Sequence, residues 1–132
     1  MTARVVGYGV IGSYSHQAFL TFGLADATYK DAQSFENAAA LLANGDADHA
    51  VIPLRNTTVG PVNAALKALE PHEFDQVREL DLVIENALFG GLSADLSTVR
   101  TVTSYPVALQ QCRIFIEQHG WAQRDHADTA GA

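Results

Sequence analysis

The chain has 132 residues, 48% hydrophobic and 17% charged, which is enough apolar material for a sizeable core and argues against global disorder. Eight scattered basic residues against fifteen acids leave a formal charge of −7, a field that repels nucleic acid and anionic membrane but leaves a small dianion accessible to local donors. A single cysteine, Cys112, excludes a disulfide framework and a CxxC pair, and the sequence lacks both a signal-peptide pattern and a run of about eighteen apolar residues, so a soluble, cytoplasmic setting is expected.

This length suits one domain or two small lobes sharing a hinge. Arg4 to Tyr8 is a short β-rich run ending in the cluster Gly7, Gly9 and Gly12. Tyr14 to Phe22 reads as a helix capped by Ser13 or Ser15 and stopped by Gly23. Ala27 to Lys30 is a short strand candidate. Phe35 to Ala43 reads as a second helix, with Ser34 as N-cap and Asn44-Gly45 as terminator. His49 to Pro53 is a compact apolar run of the kind found in buried parallel strands. The polar loop Arg55 to Gly60 leads to a third helix with Pro61 in its first turn.

Pro71-His72-Glu73 breaks the chain, and the hinge is placed here, with residues 1–75 in a first lobe and 76–132 in a second. Val77 to Phe89 alternates in part and predicts a long strand; Val99 to Thr103 predicts another. Ser104 then caps a helix that runs through Leu109, Cys112, Phe115 and Ile116 to Gly120, and the last dozen residues have little pattern. Strands alternating with helices at this spacing predict an α/β fold with mainly parallel sheets.

Gly7-Tyr8-Gly9-Val10-Ile11-Gly12 matches GxGxxG between a predicted strand and a predicted helix, with Asp26 or Asp31 near the distance of a ribose-binding acid. The chain is too short for a full dinucleotide fold plus a substrate domain, so a tight strand-to-helix turn is the preferred reading, with a nicotinamide-dependent enzyme kept as an alternative.

Five blocks, in order, carry a family resemblance. Gly12 to Ala18 resembles the GTYSHQA segment of prephenate dehydratases, and Val51 to Val62 resembles their VPIENSxxGxV signature. Glu79 to Ile84 with Leu88-Phe89-Gly90 is similar to the strand entering the second lobe. Ser104 to Arg113 resembles SHPQALAQCR, and Asp128 to Ala132 resembles the STAxAA segment. The resemblance implies a two-lobed fold like that of type II periplasmic binding proteins, with the active site in a cleft between lobes. It implies a carbon–oxygen lyase converting prephenate to phenylpyruvate in phenylalanine biosynthesis, without cofactor or metal, in a homodimer or larger homo-oligomer.

On that pattern Asn56, Thr57, Ser104 and Gln111 are the candidate catalytic residues, and Tyr14, Ser15, His16, Arg55 and Gly60 the candidate substrate-binding ones. Some also have an ordinary role open to them: an Asx turn for Asn56, an N-cap for Ser104, packing for His16. His49, His72, His119 and His126 have no metal-ligand spacing, and Cys112 is assigned to the core. The sequence also departs from the family. Arg55 replaces a Glu, Asn86 a common His and Lys67 an Asp. No Thr-Arg-Phe motif occurs before Ala132, so an incomplete sequence, a natural truncation or a neighbouring subunit remain open as explanations. A prephenate decarboxylase and a catalytically inactive module that binds an aromatic keto acid are the competing functions.

Overall fold

The computed structural model describes all 132 residues, which divide into two compact units, Met1–Leu82 and Val83–Ala132. The first is built on a parallel sheet of order β2-β1-β3, with β1 at Ala3–Gly7, β2 at Ala27–Asp31 and β3 at His49–Val51. The register pairs Val5 of β1 with Tyr29 on one side and with His49 on the other. Val5 and Val6 point to opposite faces and are 1% and 3% exposed, so both faces of the central strand are covered.

Two helices connect these strands, and their ends follow the local chemistry. Helix α1, Tyr14–Phe22, is capped by the Ser13 side chain, which accepts from the His16 N–H, and ends at left-handed Gly23. Helix α2, Phe35–Ala43, is capped by Ser34, whose hydroxyl accepts from the Asn37 N–H at 3.0 Å. Ala38 packs against Val6, Ala32 and Ala47, while Phe35 packs against Ala65 and Ala68 of helix α3, Asn63–Leu69. Small side chains at these positions allow the helices to approach the sheet and each other closely.

Between β3 and α3 the expected polar loop forms a short antiparallel hairpin. Strands β4, Arg55–Asn56, and β5, Gly60–Pro61, pair Arg55 with Pro61 and Asn56 with Gly60. Pro61 therefore belongs to β5 rather than to the first turn of the helix, which starts after Val62.

The second unit holds one parallel pair, β6 at Thr101–Ser104 and β7 at Ala122–Asp125, in register Thr101 to Ala122 and Ser104 to Asp125. Helices α4, Pro106–Gln111, and α5, Arg113–His119, connect them around a core of Leu109, Ile116 and Trp121. The single predicted helix is thus divided at Cys112, whose φ of −99° and ψ of 8° leave the helical region. Ser104 is not its cap: it ends β6, its carbonyl accepts from the His126 N–H at 2.8 Å, and Tyr105 takes the N-cap position without a side-chain bond. Val77 to Phe89 forms no strand, because alternation selects a face without supplying a ladder partner, and Val77, Val83, Ile84, Leu88 and Phe89 are exposed.

Candidate functional site

In the first unit the sheet order reverses beside β1, so the chain leaves the carboxyl ends of β1 and β3 side by side, with Gly7 paired to Val51. In open parallel sheets this reversal opens a crevice where ligands bind. Two loops border it: residues 8–13 after β1 and residues 52–59 after β3. Their bases are pinned by packing, since Tyr8, Ile52 and Val62 cover the cluster of Phe35, Ala65 and Ala68. The Tyr8 ring meets Phe35 edge-on at 4.9 Å.

The glycine loop is held by its own neighbours. The Gly9 N–H donates to Asp31 Oδ1 at 3.0 Å, and the Gly9 carbonyl accepts from the Tyr29 hydroxyl at 2.8 Å. The Gly12 N–H donates to His16 Nδ1 at 3.2 Å, and the Ser15 hydroxyl donates to the Tyr8 carbonyl at 2.9 Å. A dinucleotide site needs such amides turned toward pyrophosphate and a carboxylate free for ribose. Here Asp31 also accepts from the Gln33 N–H at 2.8 Å, so its carboxylate is committed to the loop. The glycines make a self-bonded strand-to-helix turn. At Gly9, with φ of 136°, a Cβ would lie 2.5 Å from Ser13 Oγ. Burial, with a smaller contribution from the Asp31 charge, pushes the Tyr29 phenol up despite hydrogen bonds with Ser13 and Ser15, keeping it a neutral donor.

Among the predicted ligand contacts on α1, Tyr14, Ser15 and His16 are all half-buried. The His16 ring packs against Phe19 and Tyr29 at centroid distances of 6.0 and 5.2 Å, so this histidine both packs and anchors the loop. With Nδ1 accepting from Gly12, the ring hydrogen is assigned to Nε2.

After β3, Asn56 builds an Asx turn: its Oδ1 accepts from the Thr58 N–H at 2.8 Å and the Val59 N–H at 2.9 Å. Backbone N–H groups only donate, so these two bonds fix which end of the carboxamide is oxygen and leave Nδ2 as its remaining donor. Arg55 and Thr57 on either side are exposed. Gly60 closes the turn at φ of 75°, a left-handed position that favours glycine, and the Val62 N–H donates to the Leu54 carbonyl at 2.9 Å.

In the second unit, half-buried Ser104 lies at the carboxyl end of β6 and half-buried Gln111 at the end of α4. Gln111 Oε1 accepts from Asn86 Nδ2 at 3.0 Å. Residue 86 attracted notice in the sequence only as a departure from the family pattern, and a contact spanning 25 residues has no local signature. Tyr29 and Asp31 were missed as loop organisers in the same way, although the end of a parallel strand next to a glycine turn is where such groups are useful. The candidate residues form two sets, one in each unit. Both are rich in hydroxyl and amide donors, with the Arg55 guanidinium in the first, and are suited to an oxygen-rich anion.

A sequence model of a family described as prephenate dehydratase matches residues 5–132. The bifunctional chorismate mutase/prephenate dehydratase of Escherichia coli (strain K12) is 31% identical over 138 aligned residues, covering 99% of this chain and 35% of that protein. This chain therefore spans about a third of the length of that relative. Among solved structures, GqqA, a quorum quenching acylase, is similar at a TM-score of 0.75 and 26% identity, over 97% of this chain and 46% of that one. Prephenate dehydratase from Arthrobacter aurescens, in complex with L-Phe, is similar at 0.69 and 24%, over 97% and 43%; that likeness carries the fold, which is periplasmic-binding-protein-like.

Proposed function

Because the chain belongs to the prephenate dehydratase family, we propose that it acts as a prephenate dehydratase, converting prephenate to phenylpyruvate. In that reaction the bond between the ring and its carboxylate breaks and the electron pair moves into the ring. The C–O bond at the opposite ring carbon breaks in the same sense, and the departing oxygen takes a proton to leave as water. Aromatisation drives the step, so the protein's share is to orient the ring, hold the carboxylates and set a donor against the leaving hydroxyl.

The observation that carries this reading is the Asn56 carboxamide, whose oxygen is held by two backbone N–H groups so that its Nδ2 is presented as a donor beside Arg55. Asn56, Thr57, Ser104 and Gln111 take the polarising contacts. Arg55, Tyr14, Ser15, His16 and Gly60 bind the substrate, with Arg55 as a clamp on a carboxylate. The native protein is a homodimer or larger homo-oligomer, and it works in the cytoplasm. A decarboxylase, or an inactive module that binds an aromatic keto acid, is the outcome to score against this.

The test is incubation of the native protein with prephenate, followed by the alkaline absorbance of phenylpyruvate. Formation of phenylpyruvate is expected. Loss of carbon dioxide with the hydroxyl retained would assign a decarboxylase, and saturable binding without turnover would assign a binding module.

A further inference from the structure

We infer that Asn86 is a positioning residue for Gln111, holding its carboxamide so that the Nε2 hydrogens, rather than Oε1, are what the site offers to a ligand oxygen. This rests on the reading that Gln111 contacts the substrate. Asn86 Nδ2 donates to Gln111 Oε1 at 3.0 Å. Asn86 is exposed in an irregular segment, while Gln111 is half-buried at the last position of α4, just before the break at Cys112.

A terminal carboxamide has a donor end and an acceptor end, and a half-turn about its last bond exchanges them. Without a partner both orientations are available, and half of them set a carbonyl dipole against the oxygen of an anionic ligand. In the first unit, Asn56 is held the right way round by two backbone N–H groups. Gln111 has a side-chain N–H in that role. Both carboxamides then offer donors, which matches a carboxylate-bearing substrate with a leaving hydroxyl.

The experiment compares the native protein with N86A, N86D, N86H, Q111A and the double variant N86A/Q111A in prephenate turnover, with thermal unfolding of each as control. N86D places an acceptor-only carboxylate at position 86, so Gln111 must rotate to donate to it and turns its oxygen to the ligand. N86A should lower kcat/KM about tenfold, the worth of one well-formed hydrogen bond, and N86D by more. N86H retains an N–H and should recover most of the N86D loss. Added to Q111A, N86A should cost nothing further, because its effect passes through Gln111. If Asn86 were instead the acceptor of the pair, N86D would be as active as wild type. That result, or additive losses in the double variant, overturns the inference while leaving the proposed function intact. A wild type without turnover removes the functional reading itself and this inference with it.

Discussion

Asn56→Asp separates the two roles of Asn56 better than truncation does. In the native turn Oδ1 accepts from the N–H groups of Thr58 and Val59, at 2.8 and 2.9 Å. An aspartate keeps an oxygen in that place with almost unchanged shape, so both bonds survive, and stability should move by less than about 1 kcal/mol. What changes is the other end, where two N–H donors become a carboxylate oxygen facing an anionic ligand. Loss of a hydrogen bond to a charged group is worth about 1.5–3 kcal/mol, before any repulsion is added. On that scale kcat/KM falls by roughly 10- to 150-fold. Asn56→Ala, by contrast, should lose activity and stability together, since two backbone N–H groups lose their acceptor. Urea unfolding gives the stability arm and alkaline absorbance of phenylpyruvate the activity arm. An N56D protein that turns over prephenate like wild type would show that Nδ2 does not meet the substrate, and the assignment of Asn56 would be abandoned.

Three further outcomes follow from the packing. Gly9→Ala should destabilise the first unit by about 2–3 kcal/mol in urea unfolding, because its φ of 136° disfavours an L side chain and the new Cβ would sit 2.5 Å from Ser13 Oγ; an unchanged midpoint would contradict the loop geometry. Ile116→Ala, at a site 2% exposed in the core of the second unit, should cost about 2–4 kcal/mol, read from the same denaturant curves. Asp48 is held at about 2, against an ordinary 3.8, first by the Arg4 side-chain hydrogen bond and then by the Arg4 backbone N–H. A depressed carboxylate stabilises above its unfolded value and loses that contribution as pH falls through its folded one. The stability difference between wild type and Asp48→Asn should therefore be constant above about pH 5 and shrink toward pH 2; a difference that grows on acidification would refute the pairing.

Much of the first unit was legible because its signals are local. Ser13, one of the two caps the sequence offered for α1, and Ser34 cap their helices, and α1 and α2 end at Gly23 and Asn44 as predicted. The parallel α/β character followed from strand–helix alternation, and the family resemblance from five short blocks in order. The residues 122–125 were not legible, because Ala122, Gln123, Arg124 and Asp125 are all exposed and β7 is held by backbone pairing that leaves no hydrophobic period. Val77 to Phe89 misled in the opposite direction, since its alternation is real but a strand exists only where another strand meets it.

What the amino-acid order determined by itself is therefore the set of chemical groups and the short-range geometry around them: caps, glycine turns and the Asx-forming triplet after β3. Only the tertiary structure decided which end of the Gln111 carboxamide is tied to Asn86 and that Asp31 is already committed. Asp31 reaches Gly9 across 22 residues and Asn86 reaches Gln111 across 25. A hydrogen bond between distant residues depends on how the chain returns on itself, and no pattern over neighbouring positions records that return.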